Sequence, residues 1–376
     1  MRPVFQSEHE ILREQVRRFV ADAIVPHHAR WEKDHVVPKE VWRQAGRLGF
    51  LCCAIPEAYG GGGGDFGHSA VVIEELSRVN ATGVGFPLHS DIVAPYILRY
   101  GSEEQKRRWL PRMAVGELIG AIAMTEPGTG SDLKAVRTTA RRDGGDYVIN
   151  GQKTFITNGR NAGLVIVVAK TDPKAGRKGI SLFVVEEGTP GFTKGKAIEK
   201  IGQHAQDTAE LFFDDVRVPA ASLLGEENRG FGYLMHELAQ ERLIIALRAA
   251  VTMESMLDAT VAYTRDRQAF GHPVFEFQNT RFTLADVKAQ ATMFRVFADH
   301  CLALHLKGAL SADMAAIAKL NGAEMLNQVL DRLLQLHGGY GYTSEYAIGR
   351  AWTDARVLRI YGGSSEIMRE IIARTL

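Results

Sequence analysis

Apolar positions recur with a helical period from Ser7 to about Gly120, and Leu12, Val16, Phe19, Val20 and Ala23 fall on one face. Ser7 with Glu10, and Ser102 with Gln105, have the spacing of capping boxes, so helices are expected to begin there. The pattern then changes. TTARRDGGDYVINGQKTFIT, LVIVVAKT, ISLFVVEE and TAELFFDDVRVP are short β-branched and aromatic runs, divided by turn pairs such as Gly144-Gly145 and Asn150-Gly151. From about Asn228 the helical period returns and runs to the end, broken by glycines near Phe270, at HGGYGY and at IYGGSSEI. Helices, a small antiparallel β unit and helices again predict an α+β, mostly helical protein with segregated domains at 1–120, 121–227 and 228–376.

A chain of 376 residues has room for two or three compact units. Forty-five basic against forty-four acidic residues leave it nearly neutral, which argues against a broad nucleic-acid surface. Three cysteines, with Cys52 and Cys53 adjacent, give neither a disulfide framework nor zinc-ligand spacing, and they read as buried thiols in a reducing compartment. The N-terminus lacks the apolar stretch of a secretory signal and is too acidic for a transit peptide. No apolar run approaches the ~18 residues of a membrane span. The expectation is a soluble bacterial cytoplasmic protein, or a mitochondrial matrix protein after processing.

Several signatures are missing. No GxGxxG follows a strand, His236 lacks the second histidine of a zinc-protease helix, and no GxSxG elbow occurs. The run Gly60 to Gly64 lacks the Lys-Ser/Thr of a phosphate loop and reads as a flexible turn. What remains is a set of polar turns. TEPGTGSD, 125–132, places Gly128 and Gly130 among hydroxyl residues, so its backbone could approach a ligand closely. GQKTFITNG, 151–159, is expected to put Phe155 and Thr157 on one face of a strand. Ordinary turn chemistry accounts for most such clusters.

One residue breaks an apolar stripe. Leu234, Leu238, Glu241 and Ile245 fall at helical spacing, and a carboxylate buried there has a pKa raised into the range useful for proton abstraction. The alternative is a structural ion pair, for example with Arg248. Near the end, Ser364, Ser365 and Glu366 after two glycines look like a helix start, whose free N–H groups would attract an anion but carry no reactive group.

MTEPGTGSD, KTFITNG, DTAELFFDDVRVP, RDRQAFG, QLHGGYGY and IYGGSSEI together resemble the flavin-dependent acyl-CoA dehydrogenases, in the right order over nearly the whole chain. The resemblance implies an N-terminal helical domain, a middle β-barrel and a C-terminal four-helix bundle. It also implies a homotetramer, bound FAD, an acyl-CoA substrate, electron-transferring flavoprotein as partner and no metal. By resemblance Ile122, Met124, Thr125, Gly130 and Ser131 wrap the flavin, with Ser131 also at CoA, while Phe155, Ile156 and Thr157 lie against its ring. Arg267, Phe270, Gln278, Gln335, Gly338 and Gly339 match positions that reach the pyrophosphate and adenosine end in a neighbouring subunit, and Ser364, Ser365 and Glu366 also match cofactor positions. Tyr233, Ala239, Gln240, Arg242, Gly362 and Gly363 match substrate positions.

The chain departs from medium- and short-chain members, which carry their catalytic glutamate after the tyrosine as YEG. Here that position is Gly362. Long-chain and isovaleryl members place the base within a helical ERL stretch, matched by Glu241-Arg242-Leu243. The resemblance therefore implies Glu241 as base and the Gly362 N–H as an oxyanion donor. It leans towards the long-chain enzymes, with branched-chain dehydrogenation, an acyl-CoA oxidase and a non-enzymatic helical binding protein as the other readings.

Overall fold

The computed structural model describes residues 2–376. Seven helices come first: α1 (Ser7–Phe19), α2 (Val25–Asp34), α3 (Lys39–Arg47), α4 (Phe66–Arg78), the single turn α5 (Phe86–Leu88), α6 (Ala94–Tyr100) and α7 (Glu103–Ala114). Wide π-type turns at Val20–Ile24 and His89–Val93 join α1 to α2 and α5 to α6. The capping box at α7 forms as its spacing predicts: the Ser102 hydroxyl accepts from the Gln105 N–H at 3.2 Å, and Gln105 Oε1 accepts in return at 2.9 Å. At α1 the box lies one residue earlier than expected. Gln6 is the cap, and His9 Nδ1 reaches back to accept the Gln6 N–H at 2.9 Å. Ser7 is thus the first residue of the helix, and its hydroxyl donates to the Glu8 carboxylate at 3.3 Å.

The next layer is a seven-stranded sheet: β1 (Gly120–Ala123), β2 (Thr139–Asp143), β3 (Asp146–Ile156), β4 (Leu164–Lys170), β5 (Ile180–Glu186), β6 (Phe192–Ala197) and β7 (Ala209–Pro219). Its order is β1-β4-β2-β3-β7-β6, with β5 also paired to β4. Most pairings are antiparallel, as expected, but β1 runs parallel to β4, with Ile122 opposite Ile166. Parallel pairing needs a long crossover, and the β2–β3 hairpin supplies it.

The C-terminal part holds α8 (Gly230–Asp266), the short hairpin β8 (Gln268–Ala269) and β9 (His272–Pro273), α9 (Gln278–Leu306), α10 (Ala312–His337), α11 (Ala347–Ala355) and α12 (Ser365–Ala373). Leu247, Ala250 and Met253 of α8 share one core with Phe294 of α9, Leu330 of α10 and Ile73 of α4. A buried charge cluster ties the same elements. Glu74 of α4, fully buried, accepts from Arg2 at 2.8 Å, Arg13 of α1 at 2.9 Å and Arg295 of α9 at 3.0 Å. The helices of both ends thus share one packed layer with α8 at its centre.

Candidate active site

A cleft of about 250 Å³ opens where β1 and β3 end against α4, α5 and α8. Its inner lining is apolar, with Ile73, Leu76, Leu88 and Ile92, and it brings together Ile122, Met124, Thr125, Phe155, Ile156, Thr157, Glu241 and Gly362. These eight were singled out from separate parts of the sequence.

The polar wall is fixed from behind. Lys153, fully buried on β3, donates to Glu126 Oε1 at 2.8 Å and to the Met124 carbonyl at 3.2 Å. Burial, opposed by Glu126, lowers its pKa to about 8. Glu126 also accepts the Arg137 and Thr138 N–H groups, and the Thr154 N–H donates to the Thr125 carbonyl at 2.9 Å. Phe155 and Thr157 reach the same cleft, but through a bulge and not through regular strand alternation: pairing with β7 slips between Lys153 and Ile156, and Phe155 takes φ +58°. Its ring is left 64% exposed.

Glu241 sits on the opposite wall, half-buried, between the buried Leu234 and Ile245 of its stripe. Tyr96 of α6 donates its hydroxyl to Glu241 Oε1 at 3.3 Å. Burial pushes the carboxyl up to about 7; the Tyr96 hydrogen bond opposes this, Glu237 adds to it and Arg242 opposes it. The ion-pair alternative does not form. Arg248 Nη1 instead donates to the Tyr361 hydroxyl at 3.0 Å, and Glu241 makes no salt bridge among the described residues. A carboxyl without a structural ion pair is therefore poised near neutrality on an apolar wall.

Tyr361 and Gly362 complete the rim. Gly362 and Gly363 take φ +64° and +90°, and a Cβ on Gly362 would stand 2.5 Å from Ile245 Cδ1. No acceptor within the chain takes the Gly362 N–H among the described residues. The cleft is also laced across the chain. Asp354 of α11 accepts from Asn80 at 3.1 Å, from Thr82 at 2.7 Å and from the Gln203 N–H, and those three donors line the cleft.

The other sequence candidates lie elsewhere. Arg267, Gln335, Gly338 and Gly339 line a second cavity of about 560 Å³, where Arg267 lies over the Tyr340 ring. Phe270 is 93% exposed at the β8–β9 hairpin, and Gln278 is exposed at the start of α9. Tyr233 lines a groove of about 520 Å³ with Arg99, Arg177, Lys178, Arg229 and His236. Gly130 and Ser131 are exposed on the turn after β1, and Ala239 is half-buried. Gln240 donates to the Asp91 carbonyl at 2.5 Å and meets His305 Nε2 at 2.9 Å. Arg242 is buried with Nε unpartnered. Ser364 caps α12 by accepting the Ile367 N–H, Ser365 is buried and Glu366 is exposed.

Sequence reasoning missed Tyr96, Lys153, Asp354 and the cations around Tyr233. The adjacent pair Arg177-Lys178 was visible, but its companions Arg99 and Arg229 come from other elements and carried no shared pattern.

Models of the N-terminal, middle and C-terminal domains of acyl-CoA dehydrogenases match residues 6–117, 121–216 and 228–376. A long-chain specific acyl-CoA dehydrogenase of Sus scrofa mitochondria is 52% identical over all of this chain and 88% of its own length. The crystal structure of an acyl-CoA dehydrogenase from Geobacillus kaustophilus superposes with a TM-score of 0.97 at 49% identity, covering 99% of this chain and 98% of that one. A glutaryl-CoA dehydrogenase from Mycobacterium smegmatis, solved in complex with FADH2, gives a TM-score of 0.91 at 31% identity over 99% and 95%. With a half-buried glutamate facing an apolar cleft and full-length likeness in both sequence and structure, the chain belongs to the acyl-CoA dehydrogenase family of enzymes.

Proposed function

We propose that the enzyme oxidises long-chain acyl-CoA thioesters to trans-2-enoyl-CoA, using bound FAD and passing the electrons to electron-transferring flavoprotein. Glu241 carries this reading: a carboxyl raised to about 7, with no ion pair among the described residues, on the wall of a cleft lined in part by Ile73, Leu76, Leu88 and Ile92.

The residues fit a flavin. At Gly130 and Gly339 the backbone is not left-handed and an added Cβ would meet no protein atom within 4 Å, so nothing within the chain requires glycine. Glycine there leaves room for the close approach of another molecule. Arg267 lines the second cavity with Gln335, Gly338 and Gly339 and makes no salt bridge among the described residues, which suits a pyrophosphate better than a structural role. Phe155 offers an exposed apolar face to a planar ring, flanked by the Thr125 and Thr157 hydroxyls. Ile122, Met124 and Ile156 fill in that wall. Bound there, the flavin supplies the acceptor for the hydride that leaves Cβ.

The chain's own part is proton transfer, orientation and exclusion of water. Glu241 takes the α-proton, and the unpaired Gly362 N–H donates to the thioester oxygen as it gains charge. The apolar lining takes the acyl chain and keeps water from the reacting carbons. The cationic groove beside Tyr233 suits the phosphates of CoA, with Ser131 near its path. The long-chain assignment rests on the 52% identity to a long-chain specific relative.

Anaerobic bleaching of the flavin by saturated acyl-CoAs of graded length, isovaleryl-CoA included, tests the substrate. Glu241→Gln should keep flavin and ligand binding but bleach roughly a hundred- to ten-thousandfold more slowly, the usual worth of a general base. Bleaching at the wild-type rate would return Glu241 to structure. Peroxide formed at each turnover without the flavoprotein partner would make the enzyme an oxidase.

A further inference from the structure

Two adjacent glycines in left-handed conformations are a poor place to hold a catalytic amide, because they have the freest backbone of any residues. The turn is tied down from both sides. On one side, the Tyr361 hydroxyl accepts from Arg248 at 3.0 Å. On the other, Lys319 of α10, fully buried, donates from Nζ to the Gly363 carbonyl at 2.6 Å.

Burying a lysine is costly unless its ammonium has a task, and this one makes no salt bridge among the described residues. Burial and the Arg242 charge pull its pKa down to about 8, against Glu324 and Glu366, so it is still cationic at neutral pH. Its one hydrogen bond goes to backbone next to Gly362. Neither glycine has a side chain to stiffen the turn, and a Cβ on either would stand 2.5 Å from the end of a neighbouring side chain, Ile245 Cδ1 or Met368 Cε.

We propose that Lys319 is a positioning residue for the reaction: by holding the Gly363 carbonyl it fixes the turn so that the Gly362 N–H stays presented to the cleft opposite Glu241. The role rests on the proposed dehydrogenation. In a chain whose base sits on α8, the two glycines have no side chains of their own to anchor them, and the lysine takes that part from outside the cleft.

Lys319→Met keeps the length of the side chain and removes the donor. In the flavin-loaded enzyme it should leave flavin content and the binding of a saturated acyl-CoA within ~3-fold, while bleaching slows by ~10- to 100-fold, the scale expected for misplacing a catalytic group. A second readout isolates the amide. A 3-oxoacyl-CoA has an acidic C2 proton, and its enolate beside oxidised flavin gives a long-wavelength charge-transfer band. The pH midpoint of that band reports how well the site stabilises an enolate oxygen, and it should rise by about one unit or more in the variant, a tenfold loss or greater. Lys319→Gln, with an N–H on a shorter arm, should fall between. An unchanged midpoint in a folded Lys319→Met enzyme overturns the role, as does failure of both variants to fold with flavin. A wild-type enzyme that neither bleaches nor gives the band would instead overturn the dehydrogenation itself.

Discussion

Glu241 is held partly out of water, and that has a measurable cost besides its use. Its folded-state pKa of about 7 lies above the ordinary 4.5, so folding favours the protonated form. The contribution to stability is fully present below about 4.5 and is lost as pH rises through about 7. Glu241→Gln should therefore melt close to wild type at the acid end and above it on the alkaline side, checked by thermal unfolding across pH. The opposite slope would mean that the carboxylate is stabilised by its surroundings. Gly362 offers the complementary test. Adding Gly362→Glu to Glu241→Gln places a carboxylate on the other side of the substrate, at a left-handed backbone position whose strain is ~1–2 kcal/mol for a non-glycine residue. The Ile245 methyl at 2.5 Å is the end of a flexible side chain and can move. Partial recovery of flavin bleaching is expected, with shorter acyl chains favoured because the new side chain fills acyl space. No recovery at any chain length would count against the shared reaction geometry.

Between elements, the decisive contact is Glu74. Burial alone would push its carboxyl up, but Arg2, Arg295 and Arg13 outweigh that and hold it below the usual range. Stability from this cluster is present at neutral pH and is lost as pH falls through the depressed value. Glu74→Gln removes the carboxylate that Arg2, Arg13 and Arg295 share, while each keeps another carboxylate partner, so destabilisation in denaturant unfolding is expected to fall below the cost of a fully broken buried pair, about 3–5 kcal/mol. Elements of this kind explain what the sequence could tell. Periodicity over Leu12, Val16, Phe19 and Val20, turn pairs between strands and the serine at 102 are local signals, and they gave the helices and strands closely. Glu241 was legible because it interrupts a stripe on its own helix. Lys319, Asp354 and the parallel β1–β4 pairing were not, because each has meaning only against a partner more than 40 residues away.

For the whole molecule, Arg267, which makes no salt bridge among the described residues, lines a cavity separate from the cleft, and Phe270 is exposed just beyond it. If they complete a cofactor site in a neighbouring subunit of a homotetramer, as the family resemblance implies, Arg267→Ala should shed flavin and tetramer together on dilution, followed by absorbance and light scattering. A stable monomer that keeps its full flavin complement would rule that out. The lacing at Asp354 sets how substrate moves. Asn80 and Thr82 come from the turn between α4 and α5, Gln203 from the loop before β7 and Asp354 from α11, so one buried carboxylate holds all three parts around the cleft. Swinging any part away would strip that carboxylate of donors it needs. The cleft therefore works as a sleeve and not as a jaw. On the proposed function an acyl chain would enter and leave such a sleeve lengthwise, so release of product should slow with the length to be withdrawn and not depend on the opening of a lid.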